Sequence, residues 1–174
     1  MNWLAICGSL RRQSTNLAVL HAAARLAPPG IAVRVYSLAA LPLFNPDLEA
    51  EMPAVVREWR AAVAAADGLL ISSPEYAHGV SGVLKNALDW LVSGPEFVGK
   101  PVALLNASTR AEHAPAQLVE ILRTMSGIVV ESASLDLPLL GTQRDADAIV
   151  VDPSMTTLLQ AALQNFAATI AAVV

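Results

Sequence analysis

Short apolar runs that alternate with segments of helical spacing constrain this chain more than any other feature. The runs are 3–7, 31–36, 68–72, 102–106 and 128–132, each set off by glycine or proline. None alternates apolar with polar residues, as strands buried on both faces of a parallel sheet need not. Between them lie five helix candidates. The first follows Asn16, read as its N-cap, with Leu17, Leu20 and Ala24 on one face. The second follows Pro53, suited to a first turn, and repeats apolar residues through Val56, Trp59 and Val63. Ser81 can cap a third through Leu84, Leu88 and Leu91, and Pro115 leads a fourth over Gln117–Met125. Asp152 is poised to cap the fifth, Pro153–Val174. Strands alternating with helices predict right-handed crossovers and a doubly wound, five-stranded parallel sheet with helices on both faces. At 174 residues, with no repeat, linker or low-complexity tract, one domain over 1–174 is expected.

Composition narrows the function. The chain is 55% hydrophobic and 15% charged, the reverse of a disordered chain. Cys7 is the one cysteine, so no disulfide scaffold forms within the chain; inside an apolar run it suits a reducing, cytoplasmic setting and reads as core. The net charge is −4 and the 11 Lys and Arg are scattered, which argues against nucleic acid as a partner. The most apolar stretch, 166–174, falls well short of the ~20 residues that cross a bilayer, so no membrane role is expected. Segment 2–7 is too short for a signal-peptide core. His21, His78 and His113 lack metal-ligand spacing, and no Ser-His-Asp set or carboxylate pair falls in the candidate loops, so neither a metal site nor an acid, base or nucleophile is assigned.

In a doubly wound sheet, ligands sit beyond the carboxyl ends of the strands where strand order reverses. The loops to inspect are 8–16, 73–81 and 107–114. The first, Gly8-Ser-Leu-Arg-Arg-Gln-Ser-Thr-Asn16, offers three hydroxyls, an amide and two guanidinium groups before a helix N-terminus. Free N–H groups and the helix dipole favour an anion there, and arginine adds charge-assisted bonds. Gly8 is read as the residue that turns the chain off the strand. The loop has neither Gly-x-Gly-x-x-Gly nor a Gly-Lys-Ser/Thr ending, so it suits one phosphate rather than a dinucleotide. The same residue types also make an ordinary capped loop, and that alternative stays open on this motif alone. In the second loop Pro74 stiffens the strand exit, Gly79 and Gly82 are read as sites of close backbone approach, and Tyr76 can pack against an aromatic ligand.

Taken together, Gly8-Ser-Leu-Arg-x-x-Ser-x-Asn16 and Pro74-Glu-Tyr…Gly82-x-Leu-Lys-Asn-Ala-Leu-Asp-Trp90 resemble the NADPH-dependent FMN reductase family of the flavodoxin-like fold. The segment Pro42–Asp47 resembles the family's stretch after the second strand. The resemblance implies a three-layer flavodoxin-like domain that passes hydride from NADPH or NADH through bound FMN to a small-molecule acceptor. Quinones, azo compounds, metal oxyanions and free flavin are the acceptor classes. It further implies that Ser9, Arg11, Ser14 and Asn16 hold the FMN phosphate, with Thr15 adding an N–H. Pro74, Glu75 and Tyr76 would line the ribityl chain and ring, with Ala77, His78 and Gly79 beside them. Ser108 matches the serine near the flavin's pyrimidine side, and Arg110 is placed either there or on the 2′-phosphate of NADPH. Relatives often carry Asn after the Tyr, Ser two residues later and Pro before the next Gly. This chain has Ala77, Gly79 and Ser81 instead, and its third loop lacks the family's glycines. A homodimer or homotetramer is implied, with the apolar face around Trp90 as the suggested contact. Two other functions fit the fold: a flavodoxin-like electron carrier, and a nucleotide-binding module without enzyme activity.

Overall fold

A computed structural model describes residues 1–139, 141 and 144–173. The main sheet holds β1 (Asn2–Cys7), β2 (Ala32–Tyr36), β3 (Gly68–Ser72), β6 (Pro101–Asn106), β7 (Ile128–Val129) and β8 (Leu135–Asp136), all paired in parallel. Its order is β2-β1-β3-β6-β7, with β8 also against β6. The helices are α1 (Thr15–Leu26), α2 (Ala54–Ala64), α3 (Gly82–Asp89), α4 (His113–Thr124), α5 (Ala146–Val150) and α6 (Pro153–Val173). A separate antiparallel hairpin, β4 (Glu75–Tyr76) and β5 (Gly79–Val80), stands between β3 and α3. The three-layer doubly wound architecture expected of the sequence is the one observed. Among the described residues no helix is long and apolar enough to cross a membrane.

The inner strands β1, β3 and β6 serve two cores because successive side chains point to opposite faces. Trp3, Ala5 and Cys7 face α1 and α6, while Leu4 and Ile6 face α2 and α3. β3 and β6 divide their residues in the same way, which is why their sequences are continuously apolar. On the first face Trp3 meets Phe166 edge-on at 4.9 Å. Gly68 lets that helix settle, since a Cβ there would lie 2.7 Å from the Phe166 ring. On the second face Trp59 donates from Nε1 to the Ala87 carbonyl at 2.9 Å, joining α2 to α3.

The fifth strand departs from its apolar run. Pairing stops at Val129, and residues 131–133 form a 3-10 turn before β8 resumes beside β6. Ser134 bridges the break: its Oγ accepts from the Leu104 N–H and donates to the Val130 carbonyl, both at 3.1 Å. A side-chain hydroxyl thus replaces one rung of the ladder and keeps a buried N–H satisfied. Other boundaries shift for local reasons. Ser14, not Asn16, caps α1, accepting from the Leu17 N–H at 3.3 Å. Pro53 stands just before α2, and α4 begins at His113, ahead of Pro115. Asp152 caps α6 as expected, its Oδ1 accepting from Ser154 and Met155. Val174, the last residue assigned to that helix from sequence, lies outside the described residues.

The Lys85-Asn-Ala-Leu-Asp-Trp90 motif is scaffolding. Asn86 accepts from the Phe44 N–H at 2.7 Å and donates to the Pro42 carbonyl at 2.9 Å. Trp90 donates to the same carbonyl at 2.9 Å and meets Phe44 edge-on at 5.0 Å. Trp90 itself is fully buried and is used within the chain to hold segment 42–47. Lys85 and Asp89 form an i,i+4 pair at 2.6 Å on the surface.

Candidate functional site

Strand order reverses between β1 and β3, with β2 on one side and β6 on the other. The carboxyl ends of β1, β3 and β6 open there onto a cleft of about 1140 Å³. Its floor is tightly joined: the Gly8 N–H donates to the Ser72 carbonyl at 2.9 Å. Gly8 does not have the positive φ that a sharp turn would demand; its role is close approach. A Cβ at this position would collide with Ser73 Oγ and stand 2.7 Å from Ser73 Cβ, pushing the first loop off the second.

Ser9, Arg11, Ser14, Thr15 and Asn16 all line this cleft. Ser9 Oγ accepts from the Arg11 N–H at 3.2 Å, so its hydroxyl hydrogen remains available to a ligand, while Ser14 Oγ accepts from the Leu17 N–H and also meets Cys7 Sγ at 3.9 Å. Of the first N–H groups of α1, those of Leu17 and Ala18 go to Ser14. Those of Thr15 and Asn16 are left without an acceptor among the described residues, as the opening N–H groups of a helix are unless something caps them. The Asn16 side chain turns inward, meeting Ser72 Oγ at 2.9 Å, and so braces the loop against the end of β3. Arg11 and Arg12 are exposed and have no ion-pair partner among the described residues, and the loop carries no acidic side chain. Beneath it Cys7 is 5% exposed, and burial raises its thiol above the ordinary value. It is a packed thiol, as expected of its place in β1.

Pro74, Glu75 and Tyr76 form the next wall and line the cleft, with Tyr76 59% exposed. Ala77, His78 and Gly79 do not line it; Ala77 and His78 make the turn of the β4–β5 hairpin and Gly79 opens β5. The backbone strain in this turn falls on Ala77 (φ 49°) and His78 (φ 58°), not on Gly79. Gly82 is simply the first residue of α3, with open space where a Cβ would be. A two-residue hairpin turn with both φ positive favours Asn or Gly, and an alanine in that region costs about 1–2 kcal/mol. Ala77→Asn is therefore expected to raise stability by roughly 0.5–1 kcal/mol, read as a higher urea midpoint with unchanged slope.

Glu75 holds the hairpin to α4. Its Oε2 accepts from the N–H groups of His113 (3.0 Å) and Ala114 (2.8 Å), and its Oε1 lies 3.4 Å from His78 Nδ1. The Ala114 N–H, helped by that of His113, keeps the carboxyl below its usual pKa. His78 and His113 stack edge-on at 4.3 Å. Glu75 is thus engaged as a helix cap, which the Pro-Glu-Tyr motif alone does not reveal.

The third wall carries Ser108 and Arg110, whose N–H donates to Ser108 Oγ at 3.1 Å. Asn106 also lines the cleft, and its Nδ2 donates to Asp136 at 2.7 Å. Sequence reasoning missed the far end, where His21 and Arg25 of α1 face Arg144, Asp145 and Asp147 around α5. Arg25 pairs with Asp147 and Arg144 with Asp152. The signal available was the four-residue spacing of Leu17, His21 and Arg25, which puts them on one face of α1. Nothing near Arg144 has comparable spacing. Among the described residues no cluster of His, Cys, Asp or Glu could hold a metal.

Unclaimed N–H groups at a helix N-terminus, the Ser9 hydroxyl, two guanidinium groups without ion-pair partners among the described residues and no carboxylate on the loop are the chemistry that suits a phosphate monoester. The wall beyond it, with an exposed tyrosine and a backbone hydrogen-bonded to α4 through Glu75 and Gln117, suits a flat heteroaromatic ring. The family model for NADPH-dependent FMN reductase matches residues 1–138, a span that contains all three loops. The chain belongs to that family. An NAD(P)H-dependent FMN reductase of Pseudomonas aeruginosa is 45% identical over 108 residues, 60% of this chain and 58% of that protein. A 2-hydroxy-1,4-benzoquinone reductase of a Burkholderia species is 43% identical over 110 residues, 61% of this chain and 60% of that protein. The matched segment thus spans about three-fifths of each relative's length. Among solved structures, the flavoenzyme NAD(P)H:(acceptor) oxidoreductase FerB of Paracoccus denitrificans superimposes with a TM-score of 0.80 at 26% identity. That superposition covers 98% of this chain and 97% of the other.

Proposed function

We propose that this chain binds FMN in the cleft and works as an NAD(P)H-dependent reductase of a small-molecule acceptor. The supporting observation is the first loop, which brings the unclaimed Thr15 and Asn16 N–H groups, the Ser9 hydroxyl and two guanidinium groups without ion-pair partners among the described residues to one wall of the cleft. Ser9, Arg11, Ser14 and Thr15 would hold that phosphate, with Asn16 contributing its N–H while its side chain keeps the loop in place. Pro74, Glu75 and Tyr76 would bound the ribityl chain and ring, and the turn Ala77–His78–Gly79 would stand at the ring's edge. Ser108 would face the pyrimidine side, and Arg110 either that side or the 2′-phosphate of NADPH.

FMN, when bound, supplies the hydride-accepting and hydride-donating chemistry. The protein's own residues then bind and orient. Arg11 and Arg12 offset the phosphate charge, and the α1 N-terminus adds its dipole. Glu75 is committed to two backbone N–H groups and stays ionised, so it fixes the wall and does not carry protons. No side chain is assigned as acid, base or nucleophile. An exposed rim that admits first a nucleotide and then a quinone, azo compound, metal oxyanion or free flavin fits exchange of substrates over one face. The same proposal takes the protein as a cytoplasmic homodimer or homotetramer of one domain.

Anaerobic addition of NADPH or NADH to the FMN-loaded protein tests this. Bleaching of the yellow colour, reversed by a quinone, is the expected result. Colour that persists with both nucleotides rejects the reductase and leaves an electron carrier.

A further inference from the structure

The hairpin β4–β5 and the loop before α4 form two walls of the cleft, and one side chain outside the cleft ties them. Gln117 stands on α4, one turn beyond His113. Its Nε2 donates to the His78 carbonyl at 3.2 Å, and its Oε1 accepts from the Val80 N–H at 3.4 Å. These two contacts bracket Gly79 and grip the far half of a turn whose Ala77 and His78 are both left-handed. At the near end Glu75 accepts from the first N–H groups of the same helix. The hairpin is therefore fastened to α4 at two points, the N-terminal N–H groups of His113 and Ala114 and the Gln117 side chain about one turn further on. The loop with Ser108 and Arg110 runs directly into that helix, so the spacing between the two walls is set through α4. Neither residue at the left-handed positions is Gly or Asn, and the turn has no strong preference of its own for this shape. Something outside it must hold it.

We propose that Gln117 is a positioning residue for the cofactor cleft. It keeps the Ala77–His78 turn left-handed and thereby fixes the wall that Pro74, Glu75 and Tyr76 present to the flavin. This rests on the FMN assignment above, and Gln117, which does not line the cleft, acts only through the turn.

Three variants test it: Gln117→Leu, Gln117→Glu, and Gln117→Leu combined with Ala77→Asn. Gln117→Glu retains the acceptor for Val80 but sets an oxygen against the His78 carbonyl. Amide exchange is followed on the protein without FMN, and FMN affinity is measured by fluorescence titration. In Gln117→Leu the Val80 amide should exchange faster and the FMN Kd should rise roughly fivefold, as expected for losing about one net hydrogen bond. Gln117→Glu should fall in the same direction. Adding Ala77→Asn should return the affinity toward wild type, because Asn enters the left-handed region more readily than Ala. Unchanged Val80 exchange or unchanged affinity in Gln117→Leu overturns the proposal. So does a lost affinity that Ala77→Asn fails to recover, since the loss would then not run through the turn. A wild-type protein that takes up no FMN rejects the function itself, and the cofactor role of Gln117 with it, whatever the exchange shows.

Discussion

Replacing Arg11 and Arg12 together with alanine is expected to weaken FMN binding by about a hundredfold while leaving the melting temperature of the free protein unchanged. Both guanidinium groups are exposed on the first loop and neither has an ion-pair partner among the described residues, so their removal breaks no contact of the fold. A hydrogen bond to a charged group is worth about 1.5–3 kcal/mol, and a second cation nearby adds a screened attraction. A sum near 2.7 kcal/mol corresponds to that hundredfold. Added salt should weaken the wild type more than the variant, because the lost term is Coulombic. Ser14→Ala is a poorer probe. It removes the cap of α1 and costs about 1 kcal/mol of stability, so a fall in affinity would have two causes.

Trp90→Ala should cost about 3–5 kcal/mol of unfolding free energy, read as a lower urea midpoint. The side chain is fully buried, packs edge-on against Phe44 and donates to the Pro42 carbonyl, so truncation leaves both a cavity and a loosened segment 42–47. Trp90→Phe keeps most of the apolar contact and loses the hydrogen bond, so a cost of roughly 1–2 kcal/mol is expected. If Trp90 instead served a subunit contact, both variants would shift the association state and leave the midpoint near that of the wild type.

The strands and most of the helices could be read from the chain because a parallel sheet buried on both faces leaves an unmistakable run of aliphatic residues. The break at residues 130–134 could not, since it depends on Ser134 meeting the edge of β6, a partner far away in sequence. The cap of α1 was ambiguous for a simpler reason: Ser14, Thr15 and Asn16 are all residues that cap helices. The hairpin turn misled most. Glycine at position 79 reads as a site of close backbone approach, yet the unusual backbone falls on Ala77 and His78, in a hairpin joined to α4 through Glu75 and Gln117. The cleft's far end around Arg144 and Asp147 has no motif, and only the packing of α5 on α1 brings it into view.

The most direct measurement is a fluorescence titration of FMN with the purified protein freed of flavin. Saturable quenching at one flavin per chain, with free phosphate competing weakly, is the result this account predicts. Flavin emission that stays constant through an excess of folded protein would contradict it.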